Sequence, residues 1–259
     1  MKKLYGATLL SVGFLTATLL VGTAHKVSAA PTGIKNVVLV HGAFADGSGW
    51  EAVAKILEKD GYKVSVAQEP ETSYADDQKY TKAAIDAMGG PVVLVGHSYG
   101  GSVITEAGND PNVKALVYIA AFALDTGESC ASIEQAVPQA STAFKADSSG
   151  NWWIDQDHFV ADFAADIPKQ QAAFMAIAQV PISTDAFTHK VTNPAWKTKP
   201  TGYMVASSDR SINPKQERMM AKRANAVTVE VNSSHVAYMS HPAEAAKLIE
   251  QMATSSHAN

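Results

Sequence analysis

Cysteine is nearly absent. The single thiol among 259 residues, Cys130, can neither close an intramolecular disulfide nor supply a cysteine-based zinc site, so a disulfide scaffold is excluded. Also missing are internal repeats, low-complexity tracts, flexible linkers and any run rich in Lys or Arg. With a formal charge of −4 and no basic run, the chain has no electrostatic reason to bind nucleic acid or an anionic membrane surface. What it has in quantity is apolar: 46% hydrophobic residues against 18% charged. That composition supports a buried core and fits neither a disordered nor a fibrous chain. The length allows one large α/β domain or two small ones.

The first thirty residues read as a targeting segment. Lys2 and Lys3 form a positive start, Leu4 to Ala24 is uncharged, and Val27-Ser28-Ala29 offers the small-residue pattern of a signal-peptidase site. Residues 1–29 are expected to be a signal peptide, cleaved after Ala29 or Ala30, and residues 30–259 the working domain. An uncleaved membrane anchor is the alternative, weakened by Gly6, Gly13, Gly22 and four threonines in the uncharged stretch. Removing Lys2, Lys3 and Lys26 lowers Lys+Arg from 21 to 18 against 25 Asp+Glu, for a mature charge near −7. The expected location is secreted or periplasmic, with no membrane attachment after cleavage.

Beyond Ile34, short apolar runs alternate with helical patterns, the signature of a mostly parallel sheet covered on both faces. Asn36–Val40, Lys63–Ala67, Pro91–Gly96, Val113–Ala121, Thr201–Ser207 and Val227–Val231 read as six strands. Helices are expected through Trp50, Val53, Ala54 and Leu57, over Tyr74–Met88, and from Tyr99. Asn213-Pro214 with Gln216 opens another, and His241-Pro242 opens the last, whose Ala245, Leu248, Ile249 and Met252 share a face. From about Leu124 to Trp196 no strand pattern appears. That stretch reads as an inserted helical cap within one α/β domain, one helix carrying Phe159, Val160 and Phe163 and another, from Pro168, carrying Phe174, Met175 and Ile177. Most of these apolar residues are expected to pack the cap onto the sheet.

Gly96-His97-Ser98-Tyr99-Gly100 fits G-x-S-x-G at the junction of the most apolar strand and a helix. A tight strand-to-helix turn needs glycine where a side chain would clash, and it lifts Ser98 above the sheet edge as a nucleophile. A serine hydroxyl needs a histidine base, and that base an orienting acid. His235 follows the final strand in a polar loop, Asn232-Ser233-Ser234, at the same sheet edge. His41 and His97 read as loop and elbow residues, His158 and His189 as cap residues, His241 as a helix start and His257 as part of the tail. Asp209, after the fifth strand, supplies the acid in the chain order Ser, acid, His; Asp125, after the fourth, competes for that role. Two backbone N–H groups must hold an oxyanion, and Ala43, after the first strand, and Tyr99, after the nucleophile, are placed to do so.

Together these residues resemble the α/β-hydrolase superfamily over essentially the whole mature chain. HGAFADGSGW (His41 to Trp50), GHSYGG and the SSD and SSH loops are similar to the group of plant methylesterases, hydroxynitrile lyases and bacterial esterase-like proteins. The resemblance implies an α/β-hydrolase fold whose full pattern has eight strands, so the first two are absent here. It also implies Ser98, Asp209 and His235 as triad, with Ala43 and Tyr99 as oxyanion donors. Hydroxynitrile lyases of the group carry lysine after the catalytic histidine and threonine in the first-strand loop; Val236 and Gly42 stand there instead. Dehalogenases and epoxide hydrolases of this fold use an aspartate where Ser98 lies.

The expectation is therefore a secreted serine hydrolase that cleaves a small or medium carboxylic ester or a lactone through an acyl-enzyme, with no metal or organic cofactor. A lyase or cofactor-free oxidative enzyme using the triad as a base, and a weakly catalytic binding protein, are the alternatives. Phe44, Trp152, Trp153, Phe159, Phe163 and Phe174 are candidates for an apolar substrate pocket, the first three foremost, and core packing explains most of the six equally well.

Overall fold

The computed structural model describes residues 33–255, with Met1 and Lys3 besides; the rest of the expected signal segment, residues 30–32 and the last four residues lie outside them. Six strands form the central sheet: β1 (Asn36–Val40), β2 (Lys63–Ala67), β3 (Val92–Ser98), β4 (Val113–Ala121), β8 (Thr201–Ala206) and β9 (Val227–Val231). Their order is β2-β1-β3-β4-β8-β9 and every pair is parallel. β3 is buried along its whole length, and burial of each of its large aliphatic side chains contributes about 1.5–3 kcal/mol. The edge strands are more exposed and carry Lys63, Thr228 and Glu230, which discourages pairing with another sheet. β3 runs two residues past the expected end. Hydrogen bonding to β4 continues through Ser98, opposite Ala121, after a register shift at His97.

The helices are α1 (Glu51–Lys59), α2 (Tyr74–Met88), α3 (Tyr99–Ala107), α8 (Pro214–Arg223), α9 (Ala237–Ser240) and α10 (Pro242–Ser255), with α4 to α7 in the cap. Ser73 caps α2 and a left-handed Gly89 stops it. Asn213 caps α8 by accepting from the Lys215 N–H at 3.0 Å. Gln216 takes no part in that cap; its amide donates to the Ile133 carbonyl of α4. Ala245, Leu248, Ile249 and Met252 are buried on α10.

The cap is not purely helical. Besides α4 (Cys130–Ala136), α5 (Gln156–Asp162), α6 (Lys169–Ile177) and α7 (Thr184–Thr188), it holds an antiparallel sheet of β5 (Phe144–Ala146), β6 (Asn151–Ile154) and β7 (Ile182–Ser183). Strands of two to four residues are too short to display an alternating pattern. They rest on tertiary bonds, such as that from the Trp152 indole N–H to the Thr184 hydroxyl at 2.8 Å. Phe159 and Phe163 pack inward, but Phe174 and Ile177 are 65% and 67% exposed, because α6 turns Ala172 and Ala176 to the interior. The Trp196 indole N–H donates to the Leu124 carbonyl at 2.8 Å, which pins the two ends of the excursion together.

Because every main-sheet strand runs the same way, the loops after β1, β3, β8 and β9 emerge at one edge. Those loops carry His41–Phe44, Ser98, Asp209 and His235.

Candidate active site

Ser98 caps α3 with φ 51° and ψ −122°, a conformation that L residues rarely adopt and that marks stored strain. Close packing holds it there. A Cβ on Gly100 would lie 2.3 Å from the His41 carbonyl oxygen, and one on Gly42 2.6 Å from the Ser98 Cβ. The loop after β1 and the turn after β3 thus touch backbone to backbone, which only glycine permits.

His235 Nδ1 and Asp209 Oδ2 are 2.6 Å apart, with both side chains buried. The other carboxylate oxygen, Oδ1, accepts from the N–H groups of Ser211 at 2.6 Å and Ile212 at 3.0 Å. With Nδ1–H donating to the carboxylate, Nε2 is left as an acceptor. Ser98 and His235 line one small cavity with Ala43 and Tyr99. Tyr99 is the first residue of α3, so its N–H has no partner within the helix. Asp125, the competing acid, ion-pairs with Lys197 and accepts from the Thr126 N–H; it makes no contact with His235.

The structure adds residues whose roles no motif signals. His97 donates from Nε2 to the His235 carbonyl at 3.0 Å, and its ring lies 4.7 Å from that of His235. Burial, reinforced by His235, holds its pKa well below 6.5, so it is a neutral brace. From the cap, Phe163 packs its ring 4.8 Å from that of His235. Asp166 accepts from the Ser234 N–H at 3.0 Å and from the Ser234 hydroxyl, while Asp162 accepts from Arg210 Nε at 2.7 Å. The cap therefore holds both the acid loop and the histidine loop. Residues 68 and 48 positions apart make these contacts, and no local pattern connects them.

Behind the loop after β1 lies a buried polar cluster. His41 Nε2 accepts from the Glu69 N–H at 2.9 Å, so Nδ1 carries the proton. It donates to the Gly42 carbonyl at 3.1 Å and lies 3.5 Å from Glu71 Oε1. Asp77 Oδ1 accepts from the Glu71 N–H at 2.8 Å, and Oδ2 from the Tyr99 hydroxyl at 2.6 Å. Burial raises the carboxyl pKa values of Glu69 and Glu71 well above 4.5. Both loops that carry the candidate oxyanion donors are therefore tied to one network. Among the described residues no group of three or more His, Cys, Asp or Glu is arranged to hold a metal ion.

A second cavity of about 380 Å³ shares Phe44, Glu134, Phe144 and Phe187 with the first. Phe44, with φ 66°, stands between the two. Trp152 lines the larger cavity. Trp153, expected beside it, is not in that lining: successive strand residues point to opposite faces.

A parallel sheet with a strained serine at a strand-to-helix turn and a buried Asp–His pair at the same edge defines an α/β hydrolase. The chain belongs to the alpha/beta hydrolase family, matching it over residues 37–248. It is 26% identical over 243 residues to the alpha/beta hydrolase nvfD of Aspergillus novofumigatus, covering 84% of this chain and 96% of that one. It is 35% identical over 124 residues to a carbendazim hydrolyzing esterase of a Nocardioides species, 42% of this chain and 51% of that protein. Among solved structures, a pyrethroid hydrolase from Sphingobium faniae superposes with a TM-score of 0.72 at 22% identity, covering 85% of this chain and 97% of that one. The methylesterase MES16 from Arabidopsis gives 0.69 at 16% identity, covering 83% and 96%. The resemblance to methylesterases and bacterial esterases thus extends to the three-dimensional fold.

Proposed function

We propose that the protein is an exported serine hydrolase that cleaves a small or medium carboxylic ester or a lactone. The observation that carries this reading is the 2.6 Å pair of Asp209 and His235, whose histidine lines one cavity with Ser98, Ala43 and Tyr99. In this mechanism His235 Nε2 takes the Ser98 proton as the hydroxyl attacks the ester carbonyl. Asp209 keeps the proton of His235 on Nδ1 and steadies the imidazolium. The N–H groups of Ala43 and Tyr99 hold the tetrahedral oxyanion, each donor lowering the barrier by about 2.7–4 kcal/mol. His235 returns the proton to the leaving alcohol, and water then releases the acid from the Ser98 acyl-enzyme by the same route. The esterase and hydrolase names of the relatives support ester cleavage. The aromatic chamber beyond Phe44 is the proposed seat of the larger substituent, with Trp152 in its wall.

Ser98→Ala tests this reading. Over p-nitrophenyl esters of increasing chain length, methyl esters of aromatic acids and lactones, the variant should lose nearly all turnover while keeping its melting temperature. Undiminished hydrolysis would sink the proposal. Export rests on Lys2, Lys3 and the Val27-Ser28-Ala29 site. Protein recovered from outside the cytoplasm should begin at Ala30 or Pro31, and an intact Met1 there would refute the cleavage.

A further inference from the structure

Of the four residues shared by the catalytic cavity and the aromatic chamber, only Glu134 is ionisable; the other three are Phe44, Phe144 and Phe187. Its helix is short but firmly held. Ser129 and Ser132 form a reciprocal capping box at the start of α4, Cys130 and Ile133 are buried, and the Gln216 amide grips the Ile133 carbonyl. The Glu134 carboxyl is half-buried against aromatic rings and makes no hydrogen bond or ion pair with any described residue. A polar group left without a protein partner in such a place is suited to a partner on the ligand.

We propose that Glu134 selects substrates by charge: its uncharged carboxyl donates a hydrogen bond to an acceptor on a neutral aryl ester, and once ionised it favours cationic esters and turns away anionic ones. This rests on the reading of the Ser98 centre as an esterase. Burial first, and the Asp209 carboxylate second, raise the Glu134 carboxyl to about 8. Below that pH it is a donor, and above it an anion.

The groups facing it are few. His235, beyond β9, lines the catalytic cavity with it, and Asp209, beyond β8, stands behind His235. Cys130 lies one turn back on α4, and burial pushes its thiol further up. On α7, Asp185 is turned to the Tyr74 N–H at 3.2 Å, and His189 stacks on Tyr74 with ring centroids 3.7 Å apart. Arg210 is engaged by Asp162. None of these supplies a counter-charge to Glu134.

Binding tests the idea without relying on turnover. Three phenyl acetates with a para carboxamide, trimethylammonium or carboxylate group are titrated into Ser98→Ala and into Ser98→Ala/Glu134→Gln, reading the quenching of tryptophan fluorescence at pH 7 and pH 9. In the single variant, the ratio of the carboxamide Kd to the trimethylammonium Kd should rise about tenfold between the two pH values, as expected for one charge a few ångströms from another in a protein interior. The carboxylate should weaken relative to the carboxamide by a similar factor. In the double variant, which keeps a donor but cannot ionise, both ratios should change less than twofold. Equal shifts in the two variants, or none in the first, would overturn the role of Glu134. Persistent hydrolysis by Ser98→Ala would instead overturn the esterase reading, and the two failures cannot be confused.

Discussion

Asp209→Asn offers the sharpest probe of the proposed triad. The carboxylate accepts three hydrogen bonds: from His235 at 2.6 Å, Ser211 at 2.6 Å and Ile212 at 3.0 Å. Asparagine has one acceptor oxygen and one donor nitrogen, so one side must be mismatched. If its oxygen keeps the two backbone N–H groups, its NH₂ faces His235 and forces the proton from Nδ1 to Nε2, where it blocks uptake of the Ser98 proton. If the amide flips, two N–H donors meet an NH₂. A buried mismatch of this kind costs about 1–3 kcal/mol of stability. The first arrangement holds the histidine in the wrong tautomer, which in such triads lowers turnover about 10⁴-fold, or about 5.5 kcal/mol of barrier. The assay is kcat/KM on p-nitrophenyl acetate beside a urea melt. Asp125→Asn is the control, since Asp125 faces Lys197 and its loss should leave turnover within about twofold. An Asp209→Asn loss below tenfold, or an equal loss in the control, would refute the assignment of the acid.

Gly42→Ala should be nearly as damaging to activity as a triad change although it removes no functional group. The new Cβ would meet Ser98 Cβ at 2.6 Å and the His97 carbonyl oxygen at 2.9 Å, and overpacking of this order costs about 1–3 kcal/mol. A variant of unchanged kcat/KM and melting temperature would contradict the close approach. Glu71→Gln should alter how stability depends on pH. Burial first, and Asp77 second, raise the Glu71 carboxyl well above 4.5, so the native state keeps a proton that the unfolded chain gives up. That contribution is complete below pH 4.5 and lost as pH rises toward the native value, by about 1.4 kcal/mol per unit. Urea melts should therefore show the variant gaining on the parent between pH 5 and pH 8, and a pH-independent difference would rule out a protonated Glu71.

Local chemistry made much of this molecule legible. The apolar β-branched runs of β1, β3 and β4 can only be buried strands, the Gly89 and Asn213-Pro214 signals end and begin helices through their own backbone preferences, and the glycines around Ser98 announce a turn too tight for side chains. The parallel arrangement follows from strands alternating with helices, and it alone brings the loops of Ser98, Asp209 and His235 to one edge. The cap was less legible. Its strands are too short to carry a period, and the inward or outward direction of α6 depends on what lies beneath it, so Phe174 and Ile177 read as packing residues yet face outward.

The chain by itself determined the order of elements, the serine turn and the types of residue able to complete a triad, because these depend on neighbours in sequence. Only the tertiary structure set Asp209 and not Asp125 against His235, left Trp153 out of the cavity that Trp152 lines, joined His41 to Glu69 and Glu71 behind the loop after β1, and set Glu134 on the wall between two cavities. Each of these depends on distances across tens of residues and on the burial that follows from them, and no pattern along the chain carries either quantity.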